Sequence, residues 1–348
     1  MAHVFDFNPL SDSRWQAFVE SHPHASVFHS ASWLDALRRT YGYKPVALTT
    51  CSGSPLTNAI VLCEVNSWLT GSKWISLPFS DHCEPLVSDS AELPVLLEGL
   101  RERTSGKLKF AEVRPLSMEW PRESQWVPET EYFLHTIDLR AGLDELHGRL
   151  HKDSIQRKIR RADRERVVVE QGRSELLLSQ FYGLMMLTRR RHGVPPQPLT
   201  WFRNLVSCFG SQLTIYVARV DERPVASILT LRHRQTLVYK YGCSDERYHN
   251  LGGTPRLFWQ AIQDAKAQDL VELDLGRSDK ENEGLVRFKD HLGGARTTIT
   301  YRQFSDRPAH GPSGLGRALK SPVTQAVLSH LPDSLFRLAG EVLYRHAG

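Results

Sequence analysis

No run of apolar residues in the 348-residue chain approaches the roughly 20 that a helix needs to cross a bilayer, which excludes helical membrane spans. Cysteine is scarce: Cys51, Cys63, Cys83, Cys208 and Cys243 are odd in number, scattered and never spaced Cys-x-x-Cys. That excludes a disulfide framework and a structural zinc, and a reducing, cytosolic setting is expected. The first residues, MAHVFDFNPLSDSRW, lack a basic start, an apolar core and a small-residue cleavage site, so no signal peptide is expected. Neither a Ser-His-Asp order, nor His-rich metal spacing, nor a nucleophilic-cysteine context stands out. What is present is 41% apolar content, enough for two ordinary domains with real cores.

The net charge of +5 is unevenly placed. Residues 1–148 carry 12 Lys or Arg against 19 Asp or Glu, and residues 149–348 carry 32 against 20. An acidic first part and a basic second part point to an anionic partner for the second: cofactor phosphates, a nucleic acid or a membrane surface.

The spacing of apolar residues and turns gives two units with the same order of elements. In the first, a helix with Trp33, Leu34 and Leu37 on one face precedes a hairpin over residues 45–65. A strand at 74–77, a helix at 91–103 and a strand at 108–113 follow. A polar stretch with Pro115, Pro121 and Pro128 connects to the second unit, which opens with a strand at 132–139. A basic helix at 151–166 and a longer helix at 174–192 lead to a short helix at 201–209. Three strands follow, at 213–220, 225–232 and 236–241, then a helix at 254–267 and a strand at 270–275. The fold class expected is α/β (α+β), two tandem domains, each a mixed, mostly antiparallel sheet flanked by helices. Expected bounds are 1–130, 131–310 and, for a helical tail broken at Pro332, 311–348. The tail docks on the core or, with Arg317, Lys320, Arg337 and Arg345 along it, lies on a membrane surface.

Two segments of the second unit carry chemistry. In residues 243–255, CSDERYHNLGGTP, Arg247, Gly252, Gly253 and Thr254 stand between a strand and a helix. Consecutive glycines and a helix start let backbone N–H groups approach an anion, and Pro255 suits the first helical turn. The loop lacks the Lys-Ser/Thr ending of a nucleotide P-loop. In residues 270–294, LVELDLGRSDKENEGLVRFKDHLGG, an alternating strand ends at Gly276. Ser278 and Glu281 read as a capping box for a helix carrying Leu285, Phe288 and Leu292.

A strand hairpin, a third strand, an R-x-x-x-x-G-G loop, a helix and a strand together resemble the GNAT acyltransferase core. The tandem arrangement resembles its FemAB branch, including FemAB-like proteins encoded with exopolysaccharide systems. SVFHSASWLDALRRTYG, SIQRKIRRADRERVVV, LTRRRHGVPPQP and LDLGRSDKENEGLVRFKDHLGG carry the likeness, over roughly residues 26–305. The loop RYHNLGGT departs from the usual Q/R-x-x-G-x-G/A spacing, and no long helical hairpin of the kind some FemAB members use as a tRNA arm is evident. The resemblance implies acyl transfer to an amine of a cell-envelope glycoconjugate, peptidoglycan or exopolysaccharide precursor, without a covalent enzyme intermediate. It implies no tightly bound cofactor and no metal, with acyl-CoA or aminoacyl-tRNA as co-substrate.

Acyl transfer needs a donor for a tetrahedral oxyanion and a group to receive the amine's proton. By resemblance to the family's F-K pair, Lys289 takes the first role; Asp274, at the end of the strand on its polar face, is placed to orient the amine or take its proton. Donor-binding candidates are Arg247, Asn250, Gly252, Gly253, Thr254 and Tyr241. Acceptor-binding candidates are Arg189, Arg190, His192, Arg277, Phe288 and Trp33; the arginines suit bidentate phosphate recognition. Work in the cytoplasm, at the inner face of the membrane, fits this reading. Rival readings are an acetyl-CoA-dependent N-acetyltransferase for small amines and a non-catalytic protein binding RNA or anionic lipid through Arg157, Lys158, Arg160 and Arg161.

Overall fold

The computed structural model describes residues 3–68, 70–121, 124–306 and 321–347. By density of contacts the chain divides into two units, Met1–Glu131 with Ile299–Lys320 and Glu341–Gly348, and Tyr132–Thr298 with Ser321–Gly340. Both mix helices with largely antiparallel strands, so the fold class is α+β.

The first unit contains β1 (Phe5–Phe7), α1 (Ser13–Ser21), α2 (Ala31–Tyr41), β2 (Lys44–Thr49), β3 (Asn58–Ser67), β4 (Gly71–Ile75), β5 (Leu86–Val87), α3 (Glu92–Thr104) and β6 (Phe110–Val113). Helix α2 starts where Ser30 accepts a bond from the Trp33 amide, and it stops at Gly42, in the left-handed region at φ +71°. A side chain there would be strained. Trp33, Leu34 and Leu37 are fully buried, as their spacing predicts. Strands β1 to β4 are antiparallel neighbours, and β4 then runs parallel to β6. Leu93, Leu96, Leu97 and Leu100 of α3 cover one side with Leu48, Ile60 and Leu62 of the sheet. The strand β1 and helix α1 carry too short a pattern to be read from sequence.

The second unit opens in β7 (Val127–Asp138), followed by α4 (Leu143–Arg149) and α5 (Arg157–Arg164). A single π turn, Lys152–Gln156, breaks what periodicity presents as one helix over 151–166. Then come β8 (Val168–Gly172), α6 (Glu175–Arg191), α7 (Leu199–Phe209), β9 (Leu213–Val220), β10 (Arg223–His233), β11 (Thr236–Ser244), α8 (Gly253–Ala267), β12 (Glu272–Asp279) and α9 (Glu283–His291). Strand β13 (Ala295–Phe304) follows, and α10 (Pro322–His330) and α11 (Asp333–Ala347) lie beyond it. In the second unit the strand order is β7-β12-β11-β10-β9-β8, antiparallel except for β11 beside β12. Leu257, Phe258, Ala261 and Ile262 of α8 pack with Ile137, Ile228 and Leu273 of the strands and with Ile155 and Ile159.

Of the expected tail, residues 311–320 lie outside the described residues. Residues 321–340 belong to the second unit. Arg190 explains part of this: its guanidinium donates to Ser329 O (2.8 Å) and Leu331 O (2.7 Å) at the end of α10, and to Asp333 Oδ1 (2.6 Å) at the start of α11. It also lies over the fully buried Phe336 ring at 4.8 Å. No helix among the described residues is long and apolar enough to cross a membrane. Phe336→Ala removes the ring that α11 buries. It is expected to lower unfolding free energy by about 3 kcal/mol in urea titrations; an unchanged midpoint would show that this helix does not dock.

Candidate functional site

Strands β11 and β12 start side by side and then part. Their parallel register pairs Thr236 with Glu272, Leu237 with Leu273 and Val238 with Asp274, and ends there. Beyond it each half is held on its outer edge. Residues 239–244 stay paired with β10, past an irregularity beside Leu229 and Thr230. Arg277, Ser278 and Asp279 stay paired with Leu134, Phe133 and Tyr132 of β7, past an irregularity between Asp274 and Arg277. A β-bulge swings a strand and increases its twist, and the two irregularities lie at the point of separation.

Gly276 does not end the strand, as its sequence position suggests; it turns within it, at φ +72°. The Asp274 carboxylate, 3% exposed, folds back so that Oδ1 accepts the Gly276 amide at 2.7 Å. The helix that follows starts from Asn282, which accepts a bond from the Leu285 amide, and not from the Ser278–Glu281 box. Lys289 of α9 is 3% exposed. Its ammonium donates to Gly276 O at 2.8 Å and Arg277 O at 3.0 Å. Lys289 is thus a buried group that ties α9 to β12 at the separation, where helical spacing alone places it on the flank of the apolar stripe.

Sequence reasoning missed His135 of β7. It is fully buried and bonds Asp290 Oδ1 at 3.1 Å, and Arg296 bonds the other oxygen of Asp290. Burial and the nearby Lys289 ammonium hold the imidazole pKa below its usual value, and Asp290 only partly opposes them. Burial raises the Asp290 pKa, but bonds from Arg296 and His135 outweigh it and keep the carboxyl low. A lone histidine in an apolar strand carries no periodic signal that would have marked it.

The donor-loop candidates are arranged differently from the sequence reading. Arg247 is exposed, and Nε and Nη2 form a fork on the Asp245 carboxylate at 2.9 and 2.6 Å. At Gly252, φ is +78°, and a Cβ would come within 2.2 Å of Lys158 O. At Gly253 the equivalent position is 3.3 Å from Val225 and 3.4 Å from Ala226. Close packing of α8 accounts for both glycines, so an anion is not needed to explain them. Asn250 is exposed and Thr254 half-buried beside them. Tyr241 is buried in the parted half of β11, and its hydroxyl accepts from Trp201 Nε1 at 2.8 Å.

Of the acceptor candidates, Arg277 and Phe288 lie at the separation. The Arg277 guanidinium is 4.1 Å from the centre of the Tyr132 ring, and Phe288 packs edge-on to Phe258 at 5.6 Å. Arg190 is committed to the ends of α10 and α11. Arg189 is half-buried, and His192 lines a recess of about 470 Å³ with Arg191, Gly193 and Gln325. Arg191, the last of the arginine run, reaches the loop: Nη1 lies 3.4 Å from His249 Nε2, which also bonds Ser244 Oγ at 2.8 Å. Trp33 belongs to the first unit, fully buried and edge-on to Phe28 at 5.0 Å.

Lys289→Ala would leave the buried Gly276 carbonyl and the part-buried Arg277 carbonyl without their donor. The expected loss is about 1–3 kcal/mol of stability, measured by urea unfolding. An unchanged unfolding midpoint would contradict the bonded geometry.

Comparison with known proteins agrees with this architecture. The family described as an acetyltransferase (GNAT) domain matches residues 149–290. No curated protein matches the chain. Among solved structures, FemX superposes with a TM-score of 0.65 at 13% identity, over 86% of this chain and 96% of that one. A conserved protein of unknown function from Bacteroides thetaiotaomicron gives 0.55 at 13% identity, over 87% and 99%. A tandem GNAT protein from the clavulanic acid biosynthesis pathway gives 0.54 at 10% identity, over 88% and 99%. At such identities the structural likeness establishes the fold, a tandem GNAT-like one. A GNAT-type acetyltransferase domain is thus recognised in residues 149–290, within the second unit.

Proposed function

We propose that the protein moves an acyl or aminoacyl group from an activated donor, acyl-CoA or aminoacyl-tRNA, to an amine of a cell-envelope glycoconjugate, peptidoglycan or exopolysaccharide precursor. The observation that carries the reading is the separation of β11 and β12 after Val238 and Asp274. Two strands that diverge while each keeps its outer partner make a rigid slot lined by backbone groups. An extended donor arm can add to it as a strand does, by main-chain bonds. The FemAB-like resemblance of the sequence motifs supports the envelope acceptor. We assign catalysis to residues 131–310.

In this reading the neutral amine attacks the donor carbonyl at the mouth of the slot. The bond to the amine nitrogen forms, the negative charge passes to the carbonyl oxygen, and collapse expels the thiol or the tRNA hydroxyl. Lys289, held in place by Gly276 O and Arg277 O, sets a positive charge beside the oxyanion. Fixed charge in a dry site stabilises such a state without reorganisation. Asp274 orients the amine and receives its proton, Arg277 and Phe288 line the acceptor side, and Tyr241 lines the donor side. Arg247, Asn250, Thr254 and the glycine loop contact the donor's phosphate end, for which Arg247 would have to exchange its fork on Asp245 for a phosphate.

The donor classes separate by calorimetry. Coenzyme A binding with a dissociation constant on the order of micromolar selects the thioester, and no heat selects charged tRNA. With either donor, Lys289→Met is expected to lower turnover by roughly tenfold or more at a temperature where the variant remains folded. Turnover equal to wild type would remove Lys289 from the chemistry. Arg247→Ala is expected to raise the donor's KM and leave kcat near wild type, as read from initial rates. An unaltered KM would mean that the loop holds no phosphate.

A further inference from the structure

The second unit contains a group of side chains with the geometry of an activated nucleophile, apart from every residue assigned to transfer. Ser154 lies in the π turn before α5, half-buried and within reach of solvent. Its Oγ is 2.9 Å from His151 Nδ1 and 2.8 Å from His291 Nδ1. The two imidazoles stack at 4.2 Å between centroids with planes 25° apart, and the His151 amide donates to His291 O at 2.9 Å. A wide turn thus places three side chains from two segments on one another; π turns occur often at functional positions.

The proton positions follow from chemistry. A backbone N–H can only donate, and the Ser154 amide lies 3.3 Å from His151 Nδ1, so that nitrogen is an acceptor. The Ser154 hydroxyl therefore gives its hydrogen to His151, and its oxygen accepts from His291 Nδ1–H. Burial, followed by the neighbouring His151 and Arg287, keeps the His291 pKa below the usual imidazole value. A serine hydroxyl bonded to an acceptor imidazole, here one stacked on a second ring, is an arrangement that makes serine nucleophilic.

We propose that Ser154 is an acylation site, its hydroxyl taking the acyl group of a small activated ester with His151 as general base. Ser154 Oγ forms a bond to the ester carbonyl carbon while its proton passes to His151 Nδ1. The carbon–oxygen bond to the leaving alcohol breaks, the alkoxide or phenoxide departs with the electron pair, and the proton leaves His151 to it or to water. His291 Nδ1–H orients the hydroxyl oxygen. The product is an O-acyl serine, which water can later return to serine and a carboxylic acid. The amine-transfer reaction plays no part in this step, so the two readings stand or fall separately.

The probe is p-nitrophenyl acetate with the full-length protein, followed by peptide mapping. The expected result is an acetyl ester on Ser154 in the folded wild type, its absence in Ser154→Ala, and acetylation slowed by roughly tenfold or more in His151→Gln. Acetyl groups found only on lysine or cysteine in the wild type would overturn the proposal, whatever the variants do. Ser154 acetylated as fast in His151→Gln as in wild type would overturn the assignment of the base.

Discussion

Backbone groups removed from water need partners, and two strands that leave one another must find new ones. Everything distinctive in the second unit answers to that constraint. On one side β10 keeps its pairing with β11 past the irregularity at Leu229 and Thr230. On the other, β7 keeps its pairing with β12 past the irregularity at Asp274. The Gly276 amide goes to Asp274, and the carbonyls of Gly276 and Arg277 go to Lys289. A buried carboxylate and a buried ammonium are costly unless bonded; both are bonded to the backbone of the strand that separates. The separation is built into the fold by local chemistry and does not await a ligand.

The same economy explains where charge goes. The basic excess of the second part of the chain is only partly a surface for partners. Arg190 closes the ends of α10 and α11, Arg219 bonds Gln180 and Glu170, and Arg296 joins Asp290 and through it His135. The exposed cations of α5, Arg157, Lys158 and Arg160 among them, remain on the surface. A count of charges by region therefore overstates how many can meet an anion. The arginine run 189–191 shows this most clearly: one guanidinium is half-buried, one caps helices, and one reaches His249.

Much of the architecture was legible because the local pattern and the tertiary environment agree. Trp33, Leu34 and Leu37 lie on one face of α2 in the sequence and in the core. Leu273 and Leu275 alternate with Asp274 and are buried as expected, but Asp274 is buried too, because its carboxylate serves its own strand. The π turn at Lys152–Gln156 was invisible, since Ile155 and Ile159 keep helical spacing across it. At Gly252 the structure adds a constraint that the sequence does not show, the Lys158 carbonyl that leaves no room for a side chain, from a neighbour nearly a hundred positions away in the chain.

The sequence by itself determined the order of most of the longer elements, the family likeness in residues 270–294, and the presence of Phe288 and Lys289 on one short helix, because these depend on neighbours within a few turns. Only the tertiary structure decided which charges face a partner and which bind the protein's own backbone. That choice depends on carbonyls and amides supplied by distant segments, as His135 with Asp290 and Ser154 with His291 show, and no periodicity in the chain records it.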